Sequence, residues 1–456
     1  MTSNQNEPVL RLKIPNYEAL GLKGNPFPIT GVSTSQTPYP LIDRLMDDEV
    51  HAFINDTLQS GQYCGFVILG EFGAGKTYAL RYIETLLRTI ETRPDAEEVL
   101  AVYLERPRAT TLGLVSDVCN RIGRIRIRNL LLEMILSDLA IVFDKDSLGE
   151  AENRARKVTE AFRTKSRQTL FDQSWLEKLC SPEAVMNPSA ALDNLYTSGE
   201  KATFLQDFAT DSVKMIIADR DHRADDLAYH LARFALAEPH EGVPLWNSFL
   251  DGKIVSSGKS FSSASGQDVW SSIKRLLTRA GYKMIYWLID EFEELEYELQ
   301  RKATSVRAFL SDLRDLIDSN LEGFALVLAS KYHPWDVYRK LHPAFSQRFP
   351  RIINLPPSNN EDLRHMIENR LAAVRIRSGQ SDSVSVLPFT QEAIDAIQRL
   401  SGGNPRVAVE TCHILLWHVA VERKERITED TVANWKNINR AYFYARQGGW
   451  DSCKVK

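Results

Sequence analysis

Short apolar runs alternate with amphipathic stretches along much of the chain. Five apolar runs are predicted β-strands, at residues 65–69, 99–104, 284–289, 324–329 and 352–355. Helical patterns precede or follow them, at residues 42–58, 78–88, 112–122, 269–280 and 303–320. Strands that alternate with helices predict an α/β, three-layer fold with a parallel sheet.

Other stretches lack this alternation and predict additional parts of the molecule. Residues 124–244 are charged and helical and predict a large insertion, while residues 357–442 predict a C-terminal helical lid. The lid helices are predicted at residues 361–374, 391–400, 406–423 and 431–442. A Pro-rich strap is predicted at 1–41, a Ser/Gly-rich loop at 256–265 and a tail at 443–456. Residues 42–123 and 245–356 form the predicted core.

Composition excludes several classes of protein. The formal charge of −4 gives no overall basic excess, so any nucleic-acid binding requires a local patch. No apolar run approaches the ~20 residues of a membrane-spanning helix, and the polar N-terminus does not resemble a signal peptide. The five cysteines form no CxxC pair. We therefore expect a cytoplasmic protein without a membrane partner.

A glycine-rich loop follows the first apolar run. Its sequence, Gly70-Glu71-Phe72-Gly73-Ala74-Gly75-Lys76-Thr77, matches GxxxxGK[ST] at every fixed position. Glycines let the backbone curl so that its N–H groups face phosphates, and the next helix points its positive end at them. Lys76 would meet the β- and γ-phosphates, and the Thr77 hydroxyl would bind Mg²⁺. The loop, with Tyr78 after it, predicts a site for ATP and Mg²⁺; the alternative is a chance glycine turn.

An acidic pair, Asp290-Glu291, ends the apolar run at residues 284–289. We predict that Asp290 holds Mg²⁺, largely through water, and that Glu291 polarises the attacking water. The alternative is a surface acidic turn, because two further glutamates follow at once. The assignment assumes that the strand ending at Ile289 neighbours the strand ending at Leu69.

With these motifs the chain resembles AAA+ ATPases of the initiator type, which include origin-recognition and cell-division-cycle proteins and bacterial transposition ATPases. The other matching pieces are the strand at 324–329, an arginine before the last strand, and Gly402-Gly403-Asn404-Pro405-Arg406. The resemblance implies that Ser330 senses the γ-phosphate, with Lys331 as a rival. A plainer role for Ser330 is to cap the next turn.

The resemblance also implies roles for arginines in nucleotide contact and implies that the chain forms a homo-oligomer. Arg348 would reach the nucleotide of a neighbouring subunit in a homo-oligomer, with Arg351 as second choice, and Arg406 in the lid would touch nucleotide in its own subunit. Arg348 as a solvated surface charge is the alternative. The strap at residues 25–39 would cover the adenine.

A narrower similarity concerns ATP-binding proteins of BREX-type phage-defence systems. It rests on short stretches near Leu245-Trp246, Asp251-Gly252, Ala280-Gly281-Tyr282, Asp290–Glu293 and Leu313–Asp318. Two departures from the initiators stand out: the long insertion, and a chain that stops soon after the lid, leaving no room for their DNA-gripping winged helix. Origin-type DNA recognition is therefore not expected.

Two basic clusters lie in the insertion: Arg121, Arg124, Arg126 and Arg128, and then Arg154, Arg156, Lys157, Arg163, Lys165 and Arg167. They would either neutralise phosphates or form solvated helix faces, and the second interpretation is favoured. Trp246, Trp270 and Trp287 are predicted core residues.

The predicted function is an ATP-hydrolysing AAA+ switch in DNA transactions or in defence against phage and mobile DNA. DNA is one predicted partner, and a protein bound by the insertion is another. The alternative is a nucleotide-switched adaptor that recruits proteins without DNA. A protein-remodelling motor ranks last, because no aromatic-glycine pore loop is visible.

Overall fold

The structure is a computed structural model. It describes residues 15–28, 44–91, 98–143, 200–217, 223–256, 261–376 and 386–446. The second basic cluster and most of the predicted strap lie outside these residues.

Seven strands are found among the described residues. In chain order they are β1 Cys64–Gly70, β2 Glu98–Leu104, β3 Lys253–Val255, β4 Phe261–Ser263, β5 Tyr282–Ile289, β6 Phe324–Ser330 and β7 Arg351–Leu355. Five of them form one parallel sheet in the order β2-β5-β6-β1-β7. The carboxyl ends of these five strands therefore lie at one edge of the sheet.

Sixteen α-helices lie in the part of the chain that the structure describes. They are α1 Arg44–Ser60, α2 Lys76–Glu91, α3 Thr111–Ile122, α4 Arg124–Phe143, α5 Glu200–Ile217, α6 Arg223–Leu236, α7 Pro239–Leu250, α8 Gly266–Arg279, α9 Leu295–Asp318, α10 Tyr332–Leu341, α11 Pro343–Ser346, α12 Asn360–Val374, α13 Gln391–Ser401, α14 Pro405–Glu422, α15 Glu429–Ala433 and α16 Trp435–Arg446. No described helix is long and apolar enough to cross a bilayer.

One prediction about the sheet is wrong. The strand that ends at Ile289 does not neighbour the strand that ends at Leu69, because β6 pairs with both of them. All seven residues of β6 are buried, so this strand suits the centre of a sheet covered on both faces. The two predicted motifs are consequently one strand apart at the same edge. The assumption behind the metal-site assignment therefore fails, and the assignment depends instead on whether side chains of the two motifs meet across the end of β6.

Helices cover both faces of the sheet and make three layers. On one face, alternate strand residues such as Phe66 and Tyr286 pack with α1 and α2. On the other face, residues such as Trp287 pack with α3, α8 and α9. The three-layer α/β fold predicted from the alternating pattern is confirmed.

The helices of the predicted insertion share the core of the sheet. Residues of α4 to α7, Phe208 and Trp246 among them, belong to the same buried cluster as Trp270 and Trp287. The three tryptophans are almost fully buried, as predicted. The first basic cluster is partly engaged within the chain, because Arg126 contacts the Tyr282 hydroxyl and Arg128 donates to backbone carbonyls of residues 235 and 237.

The lid has its own buried cluster. Helices α12 to α16 contribute to it, and Leu22 and Phe27 from the N-terminal strap are buried in it. The Asn25 side chain donates to the His413 carbonyl at 2.9 Å, which fastens the strap to α14. The described part of the strap thus belongs to the lid; the domain boundaries and the adenine contact stay predictions.

Two local predictions differ from the structure. The segment predicted as a Ser/Gly-rich loop, residues 256–265, contains strand β4, which pairs antiparallel with β3 just before the segment. Strands of three residues carry too few alternating positions to register as a pattern. The last predicted helix is divided, because α15 ends before Asn434 and α16 begins at Trp435.

Candidate functional site

The glycine-rich loop connects β1 to α2, as predicted. Gly73 and Gly75 have φ angles of 80° and 100°, which residues with a side chain rarely adopt. Lys76, at the start of α2, is buried, and its Nζ donates to the carbonyls of Gly70 at 2.8 Å and Glu71 at 3.3 Å. The ammonium group thus lies against the turn of the loop, where phosphates bound in the curl would meet it.

The remaining loop residues shape this turn. Ala74 donates its N–H to the Glu71 carbonyl at 3.1 Å. Phe72 is exposed. Tyr78, predicted to contact nucleotide, packs partly buried against the α1 and α2 face of the sheet.

Asp290 is the buried carboxylate at the end of β5. Its Oδ2 accepts hydrogen bonds from Thr77 Oγ1 at 2.6 Å and from the Tyr103 hydroxyl at 3.0 Å. Its Oδ1 accepts from the Glu291 N–H at 2.9 Å. Thr77 and Asp290 are 213 residues apart in sequence. A hydroxyl and a carboxylate that meet beside a phosphate loop provide the oxygen donors that Mg²⁺ prefers, so this pair fits the ion.

Tyr103 belongs to neither predicted motif. Burial and the neighbouring Asp290 raise the pKa of Tyr103, so its hydroxyl stays protonated and acts as the donor. The guanidinium of Arg81, on α2, lies 3.4 Å from the centre of the Tyr103 ring.

Glu291 has different surroundings from Asp290. Its backbone is left-handed, with φ 46° and ψ 38°, which is uncommon for a residue other than glycine. Its exposed carboxylate forms an ion pair with Arg106, Nε to Oε2 at 2.6 Å. Arg106 follows β2, whose carboxyl end lies beside that of β5.

Glu293 is a further carboxylate at the site. It lies in the turn Phe292–Glu294, is buried, and has Oε1 3.6 Å from Lys76 Nζ. Its Oε2 has no hydrogen-bond partner among the described residues. Burial raises the pKa of Glu293, whereas Lys76 and then Lys331 act in the opposite direction.

Ser330 ends β6, between the two motifs. It is fully buried and lies opposite Leu69 in the register of β1 and β6. Its hydroxyl has no hydrogen-bond partner among the described residues. Lys331 follows it as the N-cap residue of α10. The γ-phosphate sensor role of Ser330, or of its rival Lys331, stays a prediction.

Arg348 and Arg351 are the two candidates for reaching the nucleotide of a neighbouring subunit. They lie near the start of β7, away from the phosphate loop of their own chain. Arg348 makes a bidentate ion pair with Asp318, at 2.5 Å and 3.0 Å, and this contact lowers the pKa of Asp318. Arg351 pairs with Asp56. Both side chains are therefore engaged within the chain.

The lid touches the phosphate loop directly. Asn404 Nδ2 donates to the Phe72 carbonyl at 2.8 Å, and the Arg406 N–H donates to the Gly73 carbonyl at 3.3 Å. The Arg406 guanidinium lies 5.1 Å from the centre of the Phe72 ring. A Cβ atom at Gly73 would collide with the Asn404 side chain, so this contact also requires glycine.

The sequence interpretation gave no site role to Tyr103, Arg106, Glu293 or Asn404, although Glu293 and Asn404 lie in stretches that it singled out. A signal existed for Arg106, because it is the second of two charged residues that follow a buried strand, and such residues lie at the carboxyl edge of a parallel sheet. Tyr103 sits inside an apolar run and carried no such signal.

The parallel sheet, the glycine-rich loop between β1 and α2, and the carboxylate that ends β5 define a three-layer α/β P-loop fold. No protein-family model matches the chain. An uncharacterized HTH-type transcriptional regulator from Methanocaldococcus jannaschii is 32% identical over 91 residues, which is 20% of this chain and 21% of the relative. The match thus spans about a fifth of that relative's length.

Two solved structures of the ORC2 protein from Aeropyrum pernix are similar to the chain. The form with ADPNP and ADP has a TM-score of 0.43 at 12% identity, covering 89% of this chain and 71% of that one. The ADP form has a TM-score of 0.42 at 10% identity, covering 90% and 71%. Neither of these matches concerns a phage-defence system, so the narrower similarity to BREX-type proteins stays a prediction.

Proposed function

We propose that the chain is an ATPase of the AAA+ type that binds ATP with Mg²⁺ between the phosphate loop and the lid. The observation that carries this proposal is the 2.6 Å hydrogen bond between Thr77 and Asp290, formed beside the buried Lys76. A chance glycine turn and a surface acidic turn have no reason to meet in this way.

Each residue has a chemical role in the proposal. The loop amides and Lys76 hold the phosphates, while Thr77 and Asp290 hold the ion. The ion, when bound, would neutralise charge on the phosphates. Glu291 would orient and polarise the attacking water, and Ser330 and Arg406 would contact the γ-phosphate side of the nucleotide.

We further propose that nucleotide state controls assembly in DNA transactions or in defence against phage and mobile DNA, in the cytoplasm. Arg348 would serve the neighbouring subunit, which couples turnover to assembly. The face formed by α4 to α7 would bind a protein partner. The alternative, a nucleotide-switched adaptor that does not bind DNA, keeps the same site.

The site is tested by two substitutions that separate binding from turnover. Lys76→Ala should abolish binding of a fluorescent ATP analogue, because the phosphates lose their buried cation. Glu291→Gln should keep binding and lower hydrolysis by roughly 10²- to 10⁴-fold. Lys253→Ala is the control, since Lys253 is exposed and its ammonium group lies 3.5 Å from Asp251. Normal binding and turnover in Lys76→Ala would refute the site.

DNA dependence separates the two functions. Turnover and size-exclusion profiles should be measured with and without ATP and DNA. Stimulation by DNA and ATP-dependent growth of the particle support the first function. A protein that stays monomeric with ATP and ignores DNA contradicts it.

A further inference from the structure

Tyr103 lies where β2 meets the acidic end of β5. We propose that Tyr103 is a positioning residue, whose hydroxyl holds the Asp290 carboxylate in the orientation that the magnesium-bound nucleotide requires. This inference rests on the function proposed above, since it concerns the same site.

Two contacts from β2 fix Asp290. The Leu104 carbonyl accepts the Asp290 N–H at 2.9 Å and holds the backbone, while the Tyr103 hydroxyl reaches Oδ2 at 3.0 Å and holds the side chain. Tyr103 pairs in register with Leu288, two residues before Asp290. The hydroxyl therefore lies within reach of the carboxylate because the two strands are neighbours.

The ring itself is held in place. It is 6% exposed and packs among the residues between the sheet and α2. The Arg81 guanidinium covers its face at 3.4 Å, and Glu84 Oε2 holds that guanidinium at 2.8 Å. A phenol held on both sides cannot follow Asp290 if the carboxylate rotates, so it acts as a fixed anchor.

Loss of the Tyr103 hydroxyl should weaken Mg²⁺ binding, because groups that hydrogen-bond to a metal ligand affect how well the ligand binds the metal. Partners that orient metal-side carboxylates commonly change metal affinity by about 10- to 100-fold when they are removed. Asp290 Oδ2 accepts hydrogen bonds from Thr77 and Tyr103. Without the Tyr103 hydroxyl the bond from Thr77 is left, and Thr77 is itself a proposed ligand of the ion. The affinity for Mg²⁺ should fall while metal-free contacts of the nucleotide with Lys76 and the loop remain.

The test compares two tyrosine-to-phenylalanine variants of the full chain. Tyr103→Phe removes the hydroxyl and keeps the ring under Arg81. Tyr82→Phe is the matched control, because the Tyr82 hydroxyl also donates to an aspartate, Asp47, at 2.5 Å, but outside the site. Binding of a fluorescent ATP analogue is measured in EDTA and during a Mg²⁺ titration, and thermal unfolding is followed for each variant.

We expect the Mg²⁺ concentration for half-maximal effect to rise roughly tenfold in Tyr103→Phe, with binding in EDTA unchanged and Tyr82→Phe like the wild type. Arg81→Met keeps the Tyr103 hydroxyl but uncovers the ring, so it should raise the Mg²⁺ concentration for half-maximal effect by a smaller factor. An unshifted Mg²⁺ titration in Tyr103→Phe, or an equal loss of binding in EDTA, overturns the proposal. A wild-type protein that binds no nucleotide at all overturns the proposed function instead, and this inference with it.

Discussion

Two consecutive carboxylates at the end of β5 have opposite environments. Asp290 is buried and accepts three hydrogen bonds, whereas Glu291 is exposed and paired with Arg106. Three hydrogen-bond donors fix the orientation of the Asp290 carboxylate, whereas the partly exposed Glu291 side chain is free to change its orientation. The fixed member suits holding a cation, and the movable one suits contact with water during hydrolysis.

Arg106→Ala should raise the basal rate of ATP hydrolysis by about two- to fivefold, because exposed ion pairs are weak and their loss frees Glu291. The rate is measured as phosphate release at saturating ATP. Thermal stability should not change.

Arg108→Ala is the control for this change. Arg108 lies in the same loop and pairs with Asp117 at 3.0 Å, away from Glu291. A lower rate in Arg106→Ala would contradict the prediction and would indicate that Arg106 supports Glu291 in catalysis.

At the scale of elements, the N-terminus of α14 links the lid to the phosphate loop. The Asn404 side chain accepts from the N–H groups of Arg406 at 3.0 Å and Val407 at 3.3 Å, so it caps the helix. The same side chain donates to the Phe72 carbonyl. One residue thus stabilises α14 and holds it on the loop.

Asn404→Ala should lower the stability of the lid by about 1 kcal/mol, the usual cost of a lost N-cap, and should also accelerate nucleotide release. Asn359→Ala is the matched control, since Asn359 caps α12 through the N–H groups of residues 361 and 362. Stopped-flow displacement of a fluorescent nucleotide measures release. Equal release rates in the two variants would show that the loop contact has no part in nucleotide retention.

The buried His230 side chain links helices α6 and α7 to strand β3. His230, on α6, accepts from the Val255 N–H at 3.0 Å through Nδ1, so its Nε2 donates to the Leu245 carbonyl at 2.9 Å. Burial is the main cause that lowers the pKa of His230. The contact with Val255 requires an unprotonated Nδ1 and therefore the neutral ring, whereas the contact with Leu245 is also made by the charged ring.

Stability should therefore fall as the pH decreases. Below the unfolded value of about 6.5, the unfolded chain takes up a proton that folded His230 resists. The stabilisation is complete above pH 6.5 and is lost as the pH falls toward the lowered folded pKa. Thermal midpoints at pH 7.5 and 5.5 should differ less in His230→Gln than in the wild type; the exposed His240→Gln should behave like the wild type.

The elements were predictable to different degrees. Continuous apolar runs predict all five sheet strands, with ends shifted by one or two residues. The pairing of β6 between β1 and β5 depends on how five strands pack together, and one sequence does not carry that information. The loop residues and Asp290 form contiguous motifs and were predictable, whereas Tyr103 reaches Asp290 only because β2 and β5 are neighbours.

At the scale of the whole molecule, the role proposed for Arg348 is to complete the site of a second subunit. Its ion pair with Asp318 lies at the edge of the sheet opposite to the phosphate loop. For the proposed role in a neighbouring site, Arg348 must leave Asp318 on assembly. Breaking the ion pair between Arg348 and Asp318 costs little free energy, because both side chains are about one-third exposed to solvent.

A mixing experiment tests this role. The Lys76→Ala variant lacks the loop cation but keeps Arg348. The Arg348→Ala variant keeps the loop cation but lacks Arg348. Each alone should hydrolyse ATP at least about tenfold more slowly than the wild type, and the mixture should recover activity, because the two chains supply different parts of one site. Phosphate release at increasing protein concentration measures the recovery.

Arg351→Ala provides the comparison, since it was the second candidate. Recovery with Arg351→Ala in place of Arg348→Ala would move the role to Arg351. Full activity of isolated Arg348→Ala would exclude Arg348.

The strap that is buried with the lid has a practical consequence for labelling. His413 Nε2 lies 3.1 Å from the Tyr442 hydroxyl, and its Nδ1 contacts the Phe27 carbonyl, so one imidazole joins an early segment of the chain to a late one. Dyes placed beside Phe27 and beside Tyr442 would stay together in any rigid movement of the lid, and energy transfer between them would report unfolding of the lid. A dye pair that reports opening needs one member on the sheet, for instance beside Ile352, which is exposed on the edge strand β7.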